Sequence, residues 1–159
     1  MRGRLLCIAA VAVLLLAACG GSSGGGSTQL SRAAYRAKLA KITTEAAKAQ
    51  SDVGQGLQAK TVDDLKKTVD KFADATQRIS DEVAQLNPPQ NAEAANTQLA
   101  QGLHDIASGT RDASAKIATM KTVQEAITYL RKSPGPVKGS REAQSALTKL
   151  HKLGYTAGS

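Results

Sequence analysis

Three stretches of this chain repeat apolar residues at steps of three and four, and that spacing constrains the fold more than any other feature. Tyr35, Leu39, Ile42, Ala46, Ala49 and Val53 form the first stripe. Val62, Leu65, Val69, Phe72, Thr76, Ile79, Val83 and Leu86 form the second, and Leu99, Leu103, Ile106, Thr110, Ala113, Ile117 and Met120 the third. On a helix such positions fall on one face, which must be buried against another element. The pattern therefore predicts packed amphipathic helices. Composition agrees: 28 of 159 residues are Ala, Trp is absent and Phe occurs once, which favours helix over a β-sandwich. With 14 Gly and 2 Cys, the chain is neither collagen-like nor a disulfide scaffold.

The boundaries carry their own chemistry. Thr61 with Asp64, and Thr122 with Glu125, have the spacing of capping boxes at helix starts. Asn87, Pro88 and Pro89 stop the second helix, because proline lacks an amide and disfavours helix in the residue before it. Ser133, Pro134, Gly135 and Pro136 read as a second break, with Ser140 opening the last helix. Gly154 followed by Tyr155 suits a Schellman stop. The expected fold is all-α: an up-down antiparallel bundle of three long helices plus two short C-terminal helices. Phe72 is expected at the buried centre of its stripe. Only 23 of the 141 residues from Cys19 onward are Leu, Ile, Val or Phe, so the core is small and modest stability is expected.

The first nineteen residues read differently. Arg2 and Arg4 precede Leu5–Ala18, fourteen residues without a charge. As a helix that run reaches about 21 Å, short of a ~30 Å hydrocarbon core, which suits a secretory signal rather than a membrane span. Its end, Leu16, Ala17, Ala18, Cys19, resembles the lipobox of bacterial lipoproteins. The resemblance implies a diacylglycerol on the Cys19 sulfur, with Leu16, Ala17 and Ala18 read by the signal peptidase that cuts before Cys19. Cys7 would leave with the signal, so the mature chain would keep Cys19 alone and form no internal disulfide. Gly20–Thr28 is a Gly/Ser tether. The expected organisation is 1–18 signal peptide, 19–28 lipidated Cys and tether, 29–155 helical bundle and 156–159 tail.

Residues with catalytic or ligand chemistry are few. His104 and His151 are the only histidines, and neither has a partner at the spacing of a metal motif. The adjacent acids Asp63–Asp64 and Asp81–Glu82 diverge on a helix and cannot share a proton. Asp63 with Lys67, Asp74 with Arg78 and Asp112 with Lys116 read as solvent-face pairs four apart. Gly21, Ser23 and Gly25 match a nucleophile elbow in spacing, but they lie in the tether without the strand and helix that motif needs. No catalytic residue, metal site or cofactor is expected, and the chain is read as not an enzyme.

The charge is less bland. Losing Arg2 and Arg4 takes the net charge from +8 to +6, concentrated at the two ends of the mature chain. Lys121, Arg131, Lys132, Lys138, Arg141, Lys149 and Lys152 are the candidate contacts for an anionic surface, with Arg32, Arg36, Lys38 and Lys41 assisting. Export excludes nucleic acid as the partner. Anionic lipid, a wall polymer or an acidic envelope protein remains, besides the membrane reached through the N-terminal lipid.

The lipobox, the Gly/Ser tether, the Tyr35-containing first helix, the Pro88–Pro89 break and the closing Leu153, Gly154, Tyr155 together resemble the small, Ala-rich helical lipoproteins of actinobacteria. The resemblance implies a lipid-anchored protein on the extracytoplasmic face of the cell membrane. The expected function is a non-catalytic interaction or structural module at the cell envelope. The alternative is an accessory ligand carrier holding a small solute or metal in the bundle, for which the stripes offer only Thr76 and Thr110 as inward polar groups.

Overall fold

A computed structural model describes residues 28–56, 58–133 and 135–156. The expectations for the signal, the lipobox residues Leu16, Ala17, Ala18 and Cys19, and the tether up to Ser27 lie outside the described residues. The described chain is all-helical: α1 Arg32–Gly56, α2 Val62–Ala84, a 3-10 turn Gln90–Ala92, α3 Glu93–Ile117, α4 Val123–Lys132 and α5 Gly135–Lys152. Among the described residues, no helix is long and apolar enough to cross a membrane.

Local chemistry sets the ends. The amide of Asp64 donates to Thr61 Oγ1 at 3.1 Å and that of Glu125 to Thr122 Oγ1 at 3.2 Å, so both expected caps form. Ser31 caps α1 in the same way, its Oγ accepting from the Ala34 amide. At the end of α5, Tyr155 N–H donates to Leu150 C=O at 2.9 Å and Gly154 N–H to His151 C=O at 2.8 Å, with Gly154 at φ 76°. That pair of bonds is the Schellman motif, and the left-handed residue it needs is the glycine.

The last helix departs from expectation. α5 has 18 residues and starts at Gly135, so Ser140 lies inside it and donates its hydroxyl back to Pro136 C=O. Pro136 occupies the first turn, where a missing amide costs no hydrogen bond and the ring's fixed φ suits a helix.

α3 is the central element. Ser80 Oγ donates to Ala100 C=O, Arg111 reaches Asp74 and Gln77, and Ser114 Oγ donates to Asp70, so α2 runs antiparallel to α3. Lys149 meets Gln98, Lys138 meets Asp105, and Gly102 faces Gly139 and Ala143, so α5 runs antiparallel to α3 as well. The α3–α5 crossing is backbone on backbone. A methyl group on Gly102 would lie 2.6 Å from Ala143 N and 2.9 Å from Gly139 O. One on Gly139 would lie 2.6 Å from both Gly102 O and Ile106 N.

The core has two parts. The larger joins Tyr35, Leu39 and Ile42 of α1 to Ile79 and Val83, Leu99, Leu150 and Tyr155, with Ala92, Ala95, Ala100, Ala143 and Ala146 between them. The smaller packs Leu65, Val69 and Ile117 under Ala126 of α4. Phe72 is not the buried centre expected of it. It is half-buried, while its neighbour Ala73 is fully enclosed. α2 presents Ala73, Thr76 and Ser80 as buried small residues, and these permit a close approach that a large ring would prevent.

Candidate functional site

The end of the bundle where Thr28 leads into α1 is its proximal end; α4 closes the distal one. Several independent contacts fasten the incoming chain proximally. Leu30 N–H donates to Asn87 C=O at 2.8 Å, and Gln29 Nε2 to Glu93 at 3.0 Å. Arg32 Nη2 donates to Leu153 C=O at 2.8 Å, and its guanidinium lies 5.3 Å from the centroid of the Tyr155 ring. Arg32, expected to assist an anionic-surface contact, is exposed and also ties the entry of α1 to the end of α5. Gly154 leaves the room it needs, since a methyl group there would meet Arg32 Nη2 at 2.5 Å.

Beneath this clasp is a buried polar relay. Tyr35 and Tyr155 meet edge to face with centroids 5.1 Å apart. Tyr35 OH donates to Asn96 Oδ1 at 2.9 Å, Asn96 Nδ2 donates to Val83 C=O at 2.9 Å, and Tyr155 OH donates to Asn91 Oδ1 at 2.7 Å. Burial, and then the neighbouring Tyr155, push the Tyr35 phenol above its ordinary pKa, so it remains a neutral donor. Asn96 ties three helices together, yet nothing in its sequence position marks it. Its buried place follows from where α1 and α2 cross α3.

A second polar cluster lies further along α2. Asp70 accepts from Lys66 Nζ and Ser114 Oγ. Partial burial alone would raise the Asp70 carboxyl, but those two hydrogen bonds and the Lys66 charge hold it below its usual value. Thr76 and Thr110 are both buried, and Thr110 spends its hydroxyl on Ile106 C=O of its own helix.

The expected basic residues are all exposed, but the fold does not bring them into one cluster. Lys121 precedes α4 at the distal end, Arg131 and Lys132 close α4 just before the turn into α5, and Lys152 lies at the proximal end. α3 separates those ends by about 37 Å at ~1.5 Å per residue. The four on α5 do share a face: Lys138, Arg141, Lys149 and Lys152 fall within an arc of about 80° at ~100° per residue. Lys138 is engaged with Asp105 at 3.6 Å and Glu142 at 3.7 Å, and Lys149 with Gln98 at 2.7 Å. Lys41 pairs with Glu45 and Glu82. Asp74 pairs across to Arg111 on α3, where the sequence suggested Arg78 along its own helix.

Beside the basic arc is a concavity. A groove of about 780 Å³ runs between α1 and α5, lined by Arg36, Ala37, Leu39, Ala40 and Thr43 on one side. Gln144, Leu147, Thr148, His151, Tyr155 and Thr156 line the other. Among the described residues, Leu147 is one of two large apolar side chains left open to solvent, at 37% exposure. His151, which has no partner at metal-motif spacing, sits on this groove; His104 is exposed on α3. A smaller cleft of about 230 Å³ lies between α1 and α2 at Val53, Lys71 and Phe72. Among the described residues, no group of three or more His, Cys, Asp and Glu is placed to hold a metal ion.

Compared with family models, curated proteins and solved structures, the chain matches none.

Proposed function

We propose that this chain is a lipoprotein anchored through Cys19 to the extracytoplasmic face of the cell membrane, acting there as a non-catalytic interaction or structural module. One observation carries the reading. A charge-free run after two arginines closes on Leu16, Ala17, Ala18, Cys19 and is followed at once by a Gly/Ser tether. The proximal clasp supports it. A chain tethered at its N-terminus transmits load into the fold through Gln29, Leu30 and Arg32, which here are bonded to Glu93, Asn87 and Leu153. The antiparallel contacts of α2, α3 and α5 are consistent with an up-down bundle in which α4 and α5 follow three long helices.

The basic arc of α5 is the face proposed to meet an anionic surface, with Arg141, Lys149 and Lys152 reachable together by a bundle lying on its side. Lys121, Arg131 and Lys132, which flank α4, would join from beyond the start of α5. A carrier role is the second reading, and the groove between α1 and α5 is what favours it.

Fractionation of cells producing the wild-type chain and Cys19→Ser tests the anchor. Two or three acyl chains hold a protein stably where one is marginal. Wild type is expected in the membrane fraction, and the variant is expected released or uncut. A variant that fractionates like wild type, fully processed, would refute the proposal.

A further inference from the structure

α5 presents three distinct faces. Gly139, Ala143, Ala146 and Leu150 are buried. Lys138, Arg141, Lys149 and Lys152 form the basic arc, and Gln144, Leu147, Thr148 and His151 line the groove. Counted at about 100° per residue, the groove face begins some 20° from Arg141 and 40° from Lys152, so these two cations of the arc form its rim. Arg36 supplies a cation on the α1 side, and no carboxylate is among the described lining residues. The floor is apolar: Ala37, Leu39, Ala40, Leu147 and the Tyr155 ring.

An apolar trough with cations along its edge is complementary to an amphiphile with an anionic head. Its volume of about 780 Å³ lies in the range of small-molecule sites. It opens beside Arg36 and Tyr155, within two turns of the point where the chain enters α1. We infer that the α1–α5 groove binds one acyl tail of an anionic membrane phospholipid, its headgroup held by Arg36, Arg141 and Lys152. The choice of a membrane phospholipid as occupant rests on the membrane-tethered reading above. The tail would cover Leu147 and the exposed alanines, and the phosphate would lie among donors already in place. Small alanines at 37 and 40 keep the trough open, where larger side chains would fill it.

The test uses the full chain with vesicles of phosphatidylglycerol carrying a photoactivatable acyl tail, and with phosphatidylcholine carrying the same tail. After irradiation, labelled peptides are mapped by mass spectrometry. The expected result is labelling of residues 36–43 and 144–156 by phosphatidylglycerol, several-fold above phosphatidylcholine. Leu147→Glu sets a charge in the floor and should lower that labelling by about tenfold. Ala40→Trp fills the trough without adding charge and should lower it similarly, with circular dichroism unchanged for both variants. Arg36→Gln should erase much of the preference for phosphatidylglycerol. Labelling confined to residues 1–27 would overturn the groove assignment while leaving the membrane-tethered reading intact. No labelling anywhere would overturn both. Groove labelling that ignores Leu147→Glu and Ala40→Trp, or that a photoactivatable free fatty acid gives and the phospholipid does not, would overturn the occupant named here.

Discussion

Gly102→Ala and Gly54→Ala make the same chemical change in the same kind of element, and the structure requires opposite outcomes. A helical Gly-to-Ala change by itself favours the fold by about 1 kcal/mol, through reduced backbone entropy in the unfolded chain and better helix propensity. Gly54, near the end of α1, has nothing within 4 Å of the added methyl, so that gain should appear nearly whole. At Gly102 the methyl would lie 2.6 Å from Ala143 N and 2.9 Å from Gly139 O, both backbone atoms of α5. Neither can rotate away, so α5 must move outward, and the alanine contacts along the interface loosen with it. Forcing extra volume into a packed core costs about 1–3 kcal/mol, and a backbone-to-backbone clash belongs at the upper end. Subtracting the propensity gain leaves a net loss of about 1–2 kcal/mol. At about 4 °C per kcal/mol for a domain of this size, Gly102→Ala should lower Tm by roughly 4–8 °C while Gly54→Ala raises it by up to about 4 °C. Gly139→Ala should behave like Gly102→Ala, because its methyl meets Gly102 O and Ile106 N. Thermal melts followed by far-ultraviolet circular dichroism decide the matter. A Gly102→Ala variant as stable as Gly54→Ala would refute the α3–α5 contact.

Tyr35→Phe should cost about 1–3 kcal/mol in a denaturant titration at neutral pH, because Asn96 Oδ1 loses its buried donor. The raised Tyr35 phenol also fixes the sign of the alkaline response. The fold favours the protonated form, so that stability is fully present below the unfolded value of about 10 and declines as pH climbs toward the higher folded value. Tyr35→Phe should flatten this decline above about pH 10, and an unchanged slope would contradict the burial described. Leu65→Ala, at a fully enclosed position, should cost about 2–5 kcal/mol, while half-buried Phe72→Ala should cost only about 1–2 kcal/mol despite the larger side chain. Equal costs by chemical denaturation would return Phe72 to the core centre.

What the sequence disclosed was local. The stripes were legible because a helix of either direction needs a continuous apolar face, and Tyr35, Leu39, Leu65, Val69, Val83, Leu99 and Ile117 are all buried. The stops and starts at Thr61, Thr122 and Gly154 were legible because each depends on a side chain or a φ value within a few residues. Pro136 misled because proline breaks a helix interior yet suits its first turn, and residue type alone does not say which applies. Phe72 misled because reading a stripe by hydrophobicity favours the largest ring, whereas the closest helix contact is made by the smallest residues. Gly102 with Gly139, and Tyr35 with Asn96, are pairs 37 and 61 residues apart, so no local pattern could announce them. The basic residues of the last third look continuous in sequence, but they are spread along α4 and α5, from Lys121 at the distal end to Lys152 at the proximal one. Only the four on α5 keep a common face.

The mass of the N-terminal peptide of the protein, recovered from the membranes of the cells that make it, bears most directly on the lipoprotein reading. A lipoprotein anchored through Cys19 gives a peptide that begins at Cys19 and carries a diacylglycerol on the sulfur. An added amide-linked acyl chain on the new amino group agrees with it as well. A peptide beginning at any other residue, or one in which Cys19 carries a free thiol, would contradict the account.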